Sequence, residues 1–352
     1  MSSRPMTNEE RVAALENLVY TPREAAFLCL AALHAGYFLR RQYAAFMGKE
    51  LGGTATALVE KLLSQNHGVA ISALNHTKIY HLGHRPFYTL LGETDNRNRR
   101  HHSEPAMKKR LMGLDFVLAH LDRRYLATER EKLDYFSGTL GIALSELPSK
   151  RYVSQKTPST TTRYFVDKYP IFLAETRANQ PRLAASFCFV DEGSLTLSGF
   201  ETYLQQYATL CGRLKEFHLI FVADSRRLFV IAERRFRAFV SHLKAPGIDP
   251  HAQLAARLVA HFEARFQYEN GNYGSFSREK LIRLRNESGE FSSAKYQDLY
   301  ERWKTAGAKS VAQALAPNSA LPAPLNATFS TYFVDQNYDF FGRSERPVFA
   351  VR

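Results

Sequence analysis

Arg97, Arg99, Arg100, His101 and His102 stand almost side by side in the segment GETDNRNRRHHSEPAMKKRLMG, and Lys108, Lys109 and Arg110 follow closely. This density of cations suits the phosphates of a nucleic-acid backbone, which Arg and Lys hold with salt-sensitive, sequence-independent affinity. The bland alternative for any charge run is a solvated linker. The adjacent pair His101-His102 lacks the spacing of a metal site, so neither a metal nor a cofactor is expected. Ser103 reads as the N-cap, with Pro105 in the first turn, of a helix carrying the second basic group.

A second set of residues has the types needed for phosphodiester cleavage. A nuclease of the restriction-endonuclease type needs an Asp on one central strand, and an acid followed two residues on by Lys on the next. The acids hold Mg²⁺ and the Lys helps to activate water. Asp167, in RYFVDKYPIFLAE, supplies a first acid, and Asp191, at the end of RLAASFCFVDEG, a second. Gly193 stands where the Lys is required, with Lys168 the nearest substitute. Catalysis is therefore not expected, and an active nuclease is the alternative to a sheet used for packing. Walker, GxGxxG, HExxH, GxSxG and CxxC motifs do not occur.

The elements that must position these residues begin with Thr21-Pro22 and REAAFLCLAALHAG, an N-cap, a first-turn proline and an apolar helix closed by Gly36. YFLRRQYAAFMG predicts a short second helix, and TATALVEKLLSQNHG a third ending near Gly68. VAISAL and KIYHLG then read as a hairpin turned at Asn75-His76-Thr77. This is the order of a winged helix-turn-helix, whose second motif helix lies in the major groove. Here that helix spans 53–66, with Thr54, Thr56, Lys61, Ser64 and Gln65 as its polar set, and Lys78 and Arg85 around the wing as phosphate contacts.

From Tyr125 near-continuous apolar strands alternate with helices, implying a sheet covered by helices over 125–243. The expected fold is thus a mixed α+β and α/β chain. It comprises a winged helix over 1–92, a basic linker helix over 93–124, an α/β domain over 125–243, and a helical extension with an aromatic tail over 244–352. QALAPNSALPAPLNA reads as a loop, and the tail aromatics beside Arg343 and Arg346 as packing for a segment laid over the main body.

Lys and Arg number 47 against 34 Asp and Glu, a net charge of +13, which favours an anionic partner without specifying a fold. The three cysteines, Cys29, Cys188 and Cys211, have neither disulfide nor metal spacing and suit a reducing compartment. The most apolar window, AAFLCLAALHAGYFL, is too short to span a membrane, and the first residues do not form a signal peptide. A cytoplasmic location is expected.

The order of parts, with ASFCFVDEGSLTLSGFETYLQQYATL in the α/β block, resembles the bacterial replication-relaxation family of plasmids and other mobile elements. The family pattern has Glu-x-Asp-x-Gly before a helix containing Tyr; Asp191, Gly193 and Tyr207 match, and Phe189 replaces the Glu. KIYHLGHRPFYTLLG is similar to the family's second wing strand and short helix. The resemblance, over roughly 20–240, implies a winged helix fused to a degenerate restriction-endonuclease-like domain. It also implies duplex DNA binding in replication, mobilisation or transcriptional control. Regulators with this motif often read paired half-sites, which admits a homodimer. The rival is a protein-interaction module of a mobile-element or defence complex.

Overall fold

The computed structural model describes residues 6–153, 160–175, 183–244, 250–315 and 325–341. The chain is mixed α+β with several sheets, and it divides into two compact units, Met1–Ser241 with Pro324–Arg352, and His242–Ala323.

Capping boxes set the first two helices. Thr7 opens α1 (Asn8–Glu16) and Thr21 opens α2 (Pro22–His34); each hydroxyl accepts from a backbone N–H three residues on, while Glu10 or Glu24 reaches back to the cap N–H. Where one helix is expected from Tyr37, the structure has a two-residue strand, β1 (Tyr37–Phe38), before α3 (Arg40–Phe46). Extended backbone sends the two aromatics to opposite sides. Phe38 packs on Phe27 and Tyr80 in the N-terminal core, and Tyr37 stacks on His81 and joins the core of the large sheet. A helix would aim neighbouring side chains only about 100° apart, so burial in two separate cores selects the strand.

Next come α4 (Gly53–Ser64), β2 (Val69–Ser72) and β3 (Lys78–His81), forming an antiparallel sheet in the order β1-β3-β2. Asn75 and His76, at φ +57° and +54°, make the two-residue turn of the β2–β3 hairpin. After α5 (Arg85–Leu90) and a 3₁₀ turn at Arg97–Arg99 comes α6 (Glu104–Leu118). Ser103 occupies the N-cap of α6, although its hydroxyl makes no capping bond. The helix expected to be a linker is an interior one. Leu114 enters the N-terminal core, while Met107, Leu111, Met112 and Phe116 enter that of the large sheet. Each fully buried side chain of this size contributes roughly 1.5–3 kcal/mol, so α6 joins the two cores.

β4 (Arg124–Tyr125) leads to α7 (Glu129–Leu133), which runs on as a π-helical turn over Asp134–Thr139. β5 (Ser149–Val153) and β6 (Thr160–Tyr164) form a sheet of their own. RYFVDKYPIFLAE reads in sequence as a strand pair or long strand turned near Asp167-Lys168; the turn is there, but the strands on its two sides do not pair with each other. β6 ends at Tyr164, the chain turns through Phe165 (φ +49°) and Lys168 (φ +62°), and β7 (Ile171–Glu175) belongs to a different sheet. With β8 (Leu183–Asp191), α8 (Ser198–Arg213), β9 (Glu216–Ala223) and α9 (Phe229–Lys244) the sheet acquires its crossovers. The second unit follows with α10 (Pro250–Glu269), α11 (Arg278–Glu290), α12 (Ala294–Ala306) and α13 (Ala308–Leu315), around Leu258, Phe262, Tyr300 and Val311. The chain then returns as β10 (Asn326–Phe333), parallel to β9, in the order β10-β9-β8-β7-β4. The tail expected to lie over the body is therefore, over 326–333, a sheet strand; the loop residues 316–324 and Arg343 and Arg346 fall outside the described residues. On β8 the alternation is clear. Phe187 and Phe189 meet Tyr207, Phe200 and Tyr203 of α8, while Cys188 and Val190 meet the α6 side. All three cysteines are free and buried.

Burial lowers His34 to about 3 and, with Arg110 adding to the effect, His102 to about 4. A depressed histidine contributes stability that is fully present above its ordinary value near 6.5 and is lost as the pH falls through the folded value. Urea unfolding should therefore show stability falling between pH 6.5 and 4. By pH 4.5 His34 alone should account for on the order of 2 kcal/mol, and His34→Leu should make that acid limb shallower. An unchanged limb in the variant would show that His34 does not titrate this way.

Candidate nucleic-acid interface

The apolar residues of α4 recur at helical spacing, so Ala55, Leu58, Val59 and Leu62 are buried and the other face is open. Of the expected polar set, Thr54, Ser64 and Gln65 are exposed, and Thr56 is half-buried where its hydroxyl accepts from an Arg40 guanidinium N–H at 3.3 Å. Lys61 is turned aside. Its ammonium donates to the buried Glu24 carboxylate at 2.6 Å, tying α4 to the start of α2. The outward row of α4 is thus Thr54, Ala57, Glu60 and Ser64, small side chains with one acid. Gly52, its N-cap, has no side chain to occupy the first free N–H groups.

Cations stand around this face rather than on it. Arg40, Lys78 and the turn residues Asn75, His76 and Thr77 line one cleft of about 460 Å³, with Leu51 from the α3–α4 connection. The hairpin is pinned there by Leu74 N–H donating to the Phe340 carbonyl at 2.9 Å. At the other end Arg85 is exposed at the start of α5, beside His84, whose ring lies 5.7 Å from that of His67 just beyond α4. The sequence pattern singled out Lys78 and Arg85 and missed Arg40. In the run Leu39-Arg40-Arg41 nothing local says that Arg41 turns inward to a bidentate pair with Asp115 at 2.7 and 2.8 Å while Arg40 stays outside.

Most of the dense basic run, expected to contact a nucleic-acid backbone, has partners within the fold. Lys108 pairs with Asp224 at 2.7 Å and Lys109 with Glu192 at 3.0 Å, fastening α6 to the ends of β9 and β8. The Arg110 guanidinium donates to the Ala35 carbonyl at 3.2 Å and to the Asn98 side-chain oxygen, and burial holds it down to about 10. Arg97 donates to the Tyr152 hydroxyl and lies over its ring at 4.5 Å. Arg99 has a buried, unbonded Nε. Arg100 is exposed, although its carbonyl accepts from Tyr37.

The two acids are also committed. Asp167 accepts from the Tyr207 hydroxyl at 2.8 Å and from Tyr169 N–H at 3.2 Å, and burial, partly offset by Lys132, raises its carboxyl above the usual range. Asp191 accepts from Ser194 N–H at 3.2 Å, and burial raises it as well. Gly193, in the position that a nuclease Lys would fill, adopts φ +97°, and among the described residues no group of three or more His, Cys, Asp or Glu side chains is placed to hold a metal. Among the described residues no helix is long and apolar enough to cross a membrane. No known protein family, curated protein or solved structure matches the chain.

Proposed function

We propose that the chain is a duplex DNA-binding protein that reads DNA through a winged helix-turn-helix formed by α2, β1, α3, α4, β2 and β3. The observation carrying this reading is the open face of α4 set between exposed cations, Arg40 and Lys78 at one end and Arg85 at the other. Small residues on that face let a helix approach base edges closely. Thr54, Ser64 and Gln65 bring hydrogen-bonding groups, and Glu60 suits a cytosine amino group. Phosphates would meet Arg40, Lys78, Arg85 and the uncapped start of α4. The resemblance to the replication-relaxation family gives the activity its setting, in replication, mobilisation or transcriptional control. A Mg²⁺-dependent nuclease has less support, because Asp167 and Asp191 bond to neighbours and lack the Lys.

Fluorescence polarisation on duplex DNA across a salt series tests the reading. Three phosphate contacts imply that Arg40→Ala, Lys78→Ala and Arg85→Ala together flatten the slope of log affinity against log salt by roughly 2.7. An unchanged slope would overturn the assignment of these cations. The second reading, a protein-binding module, draws on exposed apolar side chains near the same face, Leu51, Val69 and Leu74, each more than half exposed. It expects no binding to any duplex at low salt.

A further inference from the structure

Behind α2, on α1 and the chain around Leu121–Ala127, lies a cavity of about 700 Å³, within the range of small-molecule sites. Part of its wall is apolar: Val12 of α1, Leu30 and Leu33 of α2, Phe46 of α3, and Ala127. Val12, Leu30, Phe46 and Ala127 are only partly buried at the margin of the N-terminal core. A ligand filling the space would remove that surface from water.

The rest of the lining is polar, with Glu9, Arg11, His34, Arg123, Arg124 and Glu131 among it, and these groups are unequally engaged. Arg11 and Glu131 neutralise each other at 2.8 Å, and Arg11 also donates to the Leu91 carbonyl. Glu9 turns to the Thr7 cap. His34 lines the cavity, touches the Tyr125 ring, and makes no hydrogen bond among the described residues. Arg124 also lines it, exposed and without an ion pair among the described residues, and Arg123 pairs with its neighbour Asp122 at 3.6 Å while its guanidinium lies 5.6 Å from the centre of the Phe172 ring.

We propose that this cavity binds a small amphipathic carboxylate, with its apolar chain against α2 and Phe46, its anionic head at Arg123 and Arg124, and His34 supplying a further polar contact. Arg–carboxylate hydrogen bonds are the strong kind, and the apolar part of the wall favours a ligand with an alkyl chain over free phosphate. The occupant would touch α2 and α3, and Phe46 rests on Phe27 at 5.5 Å between ring centres. Those two helices support α4, so the ligand would alter DNA affinity; this last step alone rests on the DNA-binding reading.

Calorimetric titration of the full chain with octanoate and with 1-octanol tests the site. Octanoate should bind at least about tenfold more tightly, the worth of charged hydrogen bonds. Arg123→Ala with Arg124→Ala should bring acid and alcohol to equal affinity, and Ala26→Phe, filling the cavity from α2, should abolish both. If Ala26→Phe fails to fold, the arginine pair decides alone. Absence of octanoate binding at millimolar concentration, equal affinities in the unaltered chain, or a preference that survives loss of both arginines would overturn the proposal. Duplex affinity measured with and without octanoate then tests the coupling. Binding of octanoate by a chain that binds no duplex would defeat the DNA reading while leaving the site standing, and a duplex affinity that octanoate does not change would defeat the coupling.

Discussion

Replacing Arg110 by alanine will lower the stability of the first unit by about 3 kcal/mol and leave the salt dependence of the proposed DNA binding unchanged. Arg110 belongs, in sequence, to the basic run, yet its guanidinium donates inward to the Ala35 carbonyl and the Asn98 side chain. Asn98 is fully buried, and its amide donates in turn to the Ala32 and Leu33 carbonyls at the end of α2, at 2.9 and 2.8 Å. Removing the guanidinium leaves two acceptors without a partner, each costing roughly 1–3 kcal/mol where water does not replace it, and takes away a packed side-chain stem. Equilibrium unfolding in urea measures the loss. Arg100→Ala, at an exposed position of the same run, is the control and should change stability by less than about 0.5 kcal/mol. A stable Arg110 variant with a flattened salt slope would return this residue to the proposed DNA surface.

That contrast shows where the sequence is legible. Caps and apolar spacing act over a few residues, and so Thr21-Pro22-x-Glu24, Leu58 and Leu62 of the α4 stripe and the hairpin turn at Asn75-His76 are visible in the string itself, whereas Ala57 and Leu63, which read as part of that stripe, are exposed and half-buried. The destination of a cation is decided by partners far along the chain. Lys61 finds Glu24, Arg41 finds Asp115, and Lys108 finds Asp224, and no local pattern separates them from Arg40 or Lys78. The same limit hides β10, whose place beside β9 is fixed only after the second unit has intervened. Tyr37 and Phe38 read as helix for a related reason, since two adjacent aromatics fit an apolar helix until two cores claim them from opposite sides. For the interface this means that charge density along the chain is a poor guide to charge on the surface, and the cations available to a phosphate are the scattered ones.

Gly36→Ala should be more damaging still, costing about 4 kcal/mol or preventing folding of the first unit. Gly36 holds φ +76°, a conformation that strains any side chain. A methyl group there would overlap the Asn98 carbonyl oxygen and lie 2.9 Å from its carbonyl carbon. Both obstacles are backbone, so no rotamer change relieves them. Relief requires the 3₁₀ turn at Arg97–Arg99 to draw away from α2, which breaks the bonds from Asn98 to Ala32 and Leu33. The same displacement would release His81, whose ring bonds to the Asn98 carbonyl at 3.2 Å, and would disturb Leu82 N–H donating to the Gly36 carbonyl at 2.8 Å. These contacts set β3, and through it the hairpin carrying Lys78, against the helices that carry α4. Because both substitutions act through Asn98, combining Gly36→Ala with Arg110→Ala should cost less than the sum of the two by more than about 0.5 kcal/mol. If the alanine variant proves too unstable to purify, Asn98→Ala in its place keeps the cycle measurable. Strict additivity in urea unfolding would mean that Gly36 and Arg110 do not act through a shared contact with Asn98.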